Sequence, residues 1–278
     1  MRVYISVDLE GVAGVSHPGP TGRGDLGYPE AVDLMVAETN AAIEGALAAG
    51  ASAIVVNDSH GGMYNLRPVE VHPAATVVQG QKAWSMVAGA DPDAGLGPFG
   101  VALFVGYHAR AGHPVGTLAH TYSMRPTLTL LDGRPTGEYG LNAAVLGAWG
   151  IPVGLVTGDD ALAAEVGEWL PWADCVVVKT AVGGNAAASI HPGEARKRIA
   201  AGAQHGVERA LAGELQPLVV PEPVSIEVDY ARGVYADYAA IVPGATRHGD
   251  RRVAHGGPDV VTAWRGFLAG LRIAGTVD

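Results

Sequence analysis

Short runs of aliphatic and β-branched residues alternate along this chain with longer stretches in which apolar positions recur every three or four residues. The first run, VYISV at residues 3–7, is what a strand covered on both faces requires. A loop rich in Gly and Pro, from Gly11 to Gly27, separates it from YPEAVDLMVAETNAAIEGALAAG. In that stretch Val32, Met35, Val36, Ile43 and Leu47 share one helical face, and Gly50 supplies the stop. SAIVVN (52–57) is a second buried strand, so the chain spells β-α-β by residue 57. GVALFVGYH (100–108) is a third strand.

Beyond it, TLTLLDGRPTGEYG predicts a strand entering a hairpin with Asp132-Gly133 as its turn. LNAAVLGAWG is helical, IPVGLVTG a strand and DDALAAEVGEWL another helix. CVVVK (175–179) is a core strand, and HPGEARKRIAAGAQHGVERALAG a long helix opened by Pro192 near its first turn. From about residue 218 the character changes: VSIEVDY, YADYAAIV and a final helix from Pro258 to Ala274 suggest a smaller unit. The expected fold is α/β, a mostly parallel sheet with helices on both faces plus a smaller C-terminal α+β lobe. The expected division is a metal-binding α/β core over residues 1–217, with residues 218–278 completing the same domain or forming a small lobe. No internal repeat is visible.

Composition narrows the function classes. Of 278 residues 48% are hydrophobic and 17% charged, which belongs to a packed globular protein. The net charge of −10, with 28 Asp+Glu against 18 Lys+Arg, argues against a nucleic-acid partner. The one cysteine, Cys175, rules out an intrachain disulfide or a Cys-cluster metal site and fits a reducing compartment. Neither a signal-peptide pattern nor an apolar run of about 18 residues is present, so the expectation is a cytoplasmic protein with no membrane partner.

In open parallel sheets ligands gather at the carboxyl ends of the strands, and polar residues collect there. Asp8 and Glu10 follow the first strand; residues two apart in extended chain project to the same side. Two carboxylates held close repel unless a proton or a cation lies between them. The second strand ends in NDSHGG, with Asn57, Asp58 and His60, and the third in GYHARAGH, with His108. Any one of these could be a loop or cap residue; three strand ends supplying acids and imidazoles to one rim point to a metal site. Mixed oxygen and nitrogen donors suit zinc, manganese or a related divalent ion without choosing among them. Glu138, in PTGEYGLNAA, reads from its spacing as an ordinary first-turn acid of a helix. His120, in GTLAHTYS, stands between two elements, where it could shuttle a proton or bond an oxyanion.

Five fragments taken in order, SVDLEG, NDSHGGMYNL, GYHAR, GTLAHTYS and GEYGLNA, resemble the bacterial zinc D-aminopeptidases of the DppA type, a similarity that runs from residue 1 to roughly 180 and fades afterwards. The resemblance implies two Zn2+ per subunit. Asp8 would bridge them, Glu10 and His60 would complete one site, His108 and Glu138 the other, and His120 would be the catalytic histidine. It also implies homo-oligomers, a decameric ring that encloses the active sites, and the release of N-terminal D-residues from short peptides such as D-aminoacyl dipeptides by a water activated between two metals. His113, in the loop before His120, is a rival for the catalytic role. Asp58, Asn142, Asp159 and Asp160 are candidates for holding imidazoles or substrate. The preference for D- over L-residues stays open, because the C-terminal third matches only loosely.

Two other readings compete. A phosphoesterase or amidohydrolase could use the same strand-end donors, although the chain lacks a G-x-x-x-x-G-K cradle and a strand-linked G-x-G-x-x-G. A non-catalytic peptide-binding module linked to dipeptide uptake could retain the site for capture. A serine nucleophile is disfavoured by the missing G-x-S-x-G elbow.

Overall fold

The structure, a computed structural model, describes residues 1–277. In chain order its elements are β1 (Arg2–Val7), α1 (Tyr28–Ala48), β2 (Ala53–Asp58), β3 (Ala75–Val78), β4 (Val101–Val105), β5 (Pro126–Leu131) and β6 (Arg134–Pro135). There follow α2 (Glu138–Ala148), β7 (Val153–Asp159), α3 (Asp160–Trp169), β8 (Asp174–Gly183), β9 (Ala186–Ser189) and α4 (Pro192–Leu211). The chain closes with β10 (Val224–Tyr230), α5 (Gly233–Ala239), β11 (Ala245–His248), β12 (Arg252–Gly257) and α6 (Val260–Ala274).

Seven strands form the main sheet in the order β3-β2-β1-β4-β7-β8-β9, parallel except where β9 folds back on β8. Side chains alternate along β1 as the pleat dictates. Val3, Ile5 and Val7 pack with Ile43 of α1 and Ile199 of α4 on one face, while Tyr4 joins Phe104, Tyr139 of α2 and Leu162 of α3 on the other. Helices thus cover both faces, as the apolar runs of the parallel strands require.

A second, antiparallel sheet has the order β11-β12-β10-β5-β6. Its nucleus is the predicted hairpin: Asp132 and Gly133 take φ of 48° and 77°, the positive values of a type I′ turn. β10 pairs with β5 on one side and β12 on the other, so this sheet draws on both the middle and the end of the chain. Val224, Ile226, Val228 and Tyr230 alternate inward from β10 to meet Trp264 and Phe267 of α6.

Three features depart from the sequence reading. The strand counted third is the fourth; β3, a half-buried edge strand of four residues, precedes it. The 3.6-residue and two-residue patterns also gave no sign of β9, β11 or β12, which are short and only partly covered. And Cys175 is exposed instead of lying in the core: β8 runs near the sheet's edge, where only Val178 and Lys179 along it are buried. Among the described residues no helix is long and apolar enough to cross a membrane.

Candidate metal centre

β2, β1 and β4 lie side by side and parallel, so their carboxyl ends reach one rim. The turns beyond them are sewn together by backbone: Asp8 N–H donates to Val105 O at 2.8 Å, Gly11 N–H to Gly106 O at 2.8 Å, and Ser59 N–H to Val7 O at 2.8 Å. This approach depends on two glycines. A Cβ on Gly11 would lie 1.8 Å from the Tyr107 carbonyl oxygen, and one on Gly106, whose φ is +71°, would lie 2.3 Å from Asp8 O.

Asp8, Glu10, His60, His108 and Glu138 are all buried and all converge. Asp8 divides its carboxylate between two imidazoles: Oδ1 lies 3.1 Å from His60 Nδ1 and Oδ2 lies 3.4 Å from His108 Nε2. Glu10 Oε2 stands 2.8 Å from the same His60 nitrogen, and Glu138 Oε1 3.4 Å from the same His108 nitrogen. The five residues thus form two groups, one around each imidazole, joined through Asp8. The ligand atoms that lie within 4.8 Å of one another are those of Asp8, Glu10 and His108 and those of His108, His120 and Glu138. His120 bridges their open side, with Nε2 3.9 Å from Glu10 Oε1 and 3.8 Å from Glu138 Oε1, its ring stacked on His108 at 4.0 Å between centroids.

Backbone carbonyls fix which nitrogen of each ring faces the carboxylates. A carbonyl oxygen can only accept, so His60 Nε2–H donates to Thr21 O (2.7 Å), His108 Nδ1–H to Ala109 O (3.0 Å) and His120 Nδ1–H to Leu118 O (2.8 Å). The other nitrogen of each neutral ring then turns a lone pair on carboxylate oxygens, an arrangement that needs a proton or a cation in between. His108 Nε2 is buried with no hydrogen-bond partner among the described residues. This donor set of carboxylate oxygens and carbonyl-oriented imidazole nitrogens fits a divalent metal.

The electrostatics agree. Burial alone would raise the Asp8 carboxyl, but the imidazoles of His108 and His60 beside it hold it well below the usual range. Glu10 is lowered by His60, and Glu138 by His108, against the same cost of burial. Burial would lower the two histidines, yet Glu10 raises His60 and Glu138 raises His108 well above an ordinary imidazole. The pocket is a trap for positive charge.

Glu138 opens α2, and its Oε1 accepts Tyr122 N–H at 2.5 Å, which ties the helix start to the segment carrying His120. In that segment Leu118 and Tyr122 both hold positive φ, 55° and 58°. Thr117 N–H donates to Asp159 Oδ2 (2.8 Å), so Asp159, the cap of α3, anchors the loop's backbone and no imidazole. Asp58 accepts Asn65 N–H (2.5 Å) and Leu66 N–H (2.7 Å), shaping the turn after His60. Asn142 links Tyr122 and Tyr107 through their hydroxyls. Asp160 is exposed and accepts Ala181 N–H, apart from the centre. His113 spends Nδ1 on the N–H groups of Val115 and Gly116 and does not line the cavity.

Lys179 was missed by sequence reasoning. Its ammonium, on a residue 1% exposed in the middle of β8, donates to the carbonyls of Glu10, Val12 (3.2 Å) and Val15 (2.5 Å), gathering the loop that bears Glu10. Burial pushes it down to about 8 although Asp159, Glu38 and Glu10 work to raise it. A lysine closing a strand reads as solvent-facing, and only the tertiary path of residues 10–15 reveals the task.

The centre opens into a cavity of about 710 Å3, walled by Met63 and Met86 and by Leu268, Leu271 and Arg272 of α6, with Lys82 beside them.

Comparison with known proteins follows the same lines. The sequence model of the family described as D-aminopeptidase matches residues 1–269. A D-aminopeptidase of Bacillus subtilis (strain 168) is 31% identical over 276 residues, 99% of this chain and 98% of the relative. The solved structure of the Zn-dependent D-aminopeptidase DppA from Bacillus subtilis, described as a self-compartmentalizing protease, superposes with a TM-score of 0.92 at 30% identity, covering all of this chain and 99% of that one.

Proposed function

Because the chain belongs to the D-aminopeptidase family, we propose that it is a zinc-dependent aminopeptidase releasing N-terminal D-residues from short peptides at a two-metal centre. The observation that carries this reading is Asp8, whose two oxygens each face a different carbonyl-oriented histidine. Asp8, Glu10 and His60 would hold one zinc, and Asp8, His108 and Glu138 the other. When bound there, zinc supplies Lewis acidity towards a peptide carbonyl and brings the pKa of a water towards neutrality.

The chain's own groups do the rest. Nδ1–H of His120 is committed to Leu118 O, so Nε2 is the atom that takes a proton and hands it to the departing amine. Glu10 and Glu138, flanking that atom, steady the imidazolium when it forms. The negative rim favours the cationic amino terminus of a peptide, which selects exopeptidase over endopeptidase action. Burial of the donors keeps bulk water from competing for them. We also propose a cytoplasmic homo-oligomer, a decameric ring as the family resemblance implies, consistent with the self-compartmentalizing description of the relative.

Paired D- and L-aminoacyl dipeptides, assayed with added zinc and after chelation, test the reading. Zinc-dependent release from the D-series supports it; cleavage of a chromogenic phosphodiester with no peptide hydrolysis would overturn it. Light scattering gives the mass of the assembly.

A further inference from the structure

The cavity that leads away from the centre carries charge of the opposite sign. Lys82 and Arg272 line it together with the carboxylates of Asp8, Glu10 and Glu138. Among the described residues neither forms an ion pair, although the chain carries a net charge of −10 and carboxylates are plentiful. The two are held in place with respect to each other: Arg272 Nη2–H donates to the Lys82 carbonyl at 2.7 Å, joining the last turn of α6 to the segment before Ser85. Lys82 spends one of its N–H bonds on the Asp58 carbonyl, 2.7 Å away, which leaves donors for a ligand. Burial pushes its ammonium down to about 8, an environment in which an anion alongside would be welcome.

We infer that Lys82 and Arg272 form a subsite for the free C-terminal carboxylate of a short peptide, so that the cavity reads both ends of its substrate. The inference rests on the aminopeptidase reading and adds a length rule to it. A peptide whose amine lies at the acidic rim brings its carboxylate within reach of the two cations only if few residues intervene. A longer peptide leaves that carboxylate outside and presents neutral amides instead. The cavity volume, about 710 Å3, falls within the range of roughly 300–1,000 Å3 typical of small-molecule sites. The thioethers of Met63 and Met86 and the side chains of Leu268 and Leu271 offer apolar walls to the residues between.

The test compares D-Ala-D-Ala with its C-terminal amide, in the full-length zinc-loaded protein, for wild type, Lys82→Met and Arg272→Gln. Wild type should favour the acid over the amide by about tenfold or more in kcat/KM, chiefly through KM, as a charge-assisted contact allows. Each substitution should collapse that ratio, costing the acid far more than the amide. Calorimetry on chelator-treated protein, where turnover stops, should show the same preference in binding. Equal treatment of acid and amide by wild type in both measurements, or an equal loss of both in the variants, overturns the subsite. If neither peptide is cleaved while the binding preference persists, the aminopeptidase reading falls and the carboxylate subsite stands.

Discussion

Two histidines, His108 at the rim of the parallel sheet and His255 in the antiparallel one, are each 2% exposed, yet their surroundings make them opposites. His108 turns Nε2 on Asp8 and Glu138 and is raised well above an ordinary imidazole by them, against the cost of burial. His255 packs against Gly270 of α6, neither ring nitrogen has a hydrogen-bond partner among the described residues, and burial pushes it down to about 4. Burial of a histidine is therefore no sign of chemistry; what faces the ring decides. The parallel sheet concentrates donors, whereas the antiparallel sheet serves as the bed for α6, which supplies part of the cavity wall.

The contrast breaks most completely if Asp8 is removed. Asp8→Ala should abolish bound zinc and lower turnover beyond the roughly 10–100-fold expected for an outer partner of a ligand. Metal analysis and peptide assays check this, with circular dichroism to show that the fold persists. His120→Ala should keep the metal and lower kcat by about 10²–10⁴-fold; an unchanged kcat would remove His120 from the chemistry. Lys179→Met takes the ammonium from the carbonyls of Glu10 and Val15 and from that of Val12, which keeps the Val15 N–H, so unfolding free energy should drop by about 2–4 kcal/mol, read by denaturant titration. Zinc affinity should weaken with it, as Glu10 loses its anchor.

The smallest effect belongs to His255→Leu, which at pH 8 should change stability by no more than about 1 kcal/mol. Its signature lies in acid. The folded ring takes a proton only near pH 4, the unfolded chain near 6.5, so between these values the unfolded state binds more protons and stability falls as pH falls. The leucine variant should flatten that decline, measured as unfolding midpoints from pH 7 to 4 against wild type. An unaltered acid slope would show that His255 does not titrate as its surroundings dictate.

The legibility of the molecule followed the same division. β1, β2 and β4 announced themselves because parallel strands buried on both faces are continuous apolar runs, and whatever polar residue follows such a run lies at the rim. Asp8, Glu10, His60 and His108 were therefore visible from position alone. Glu138 was not: as the first residue of α2 it is indistinguishable by spacing from a helix-start acid, and only the resemblance singled it out. Lys179 left no trace in any periodicity, because its partners are carbonyls from residues 10–15, distant in sequence. β11 and β12 escaped notice because four to six half-covered residues carry too little alternation to stand out.

The hydrogen atoms on Gly11 and Gly106 act as the gauge of the rim. With a would-be Cβ only 1.8 Å from the Tyr107 oxygen in one case and 2.3 Å from the Asp8 oxygen in the other, even alanine would wedge the turn bearing Asp8 and Glu10 away from the turn bearing His108. Protein engineers who vary the donors while sparing both glycines would be exploring which ion is preferred; those who vary the glycines would be changing how far apart the donors of the two turns stand.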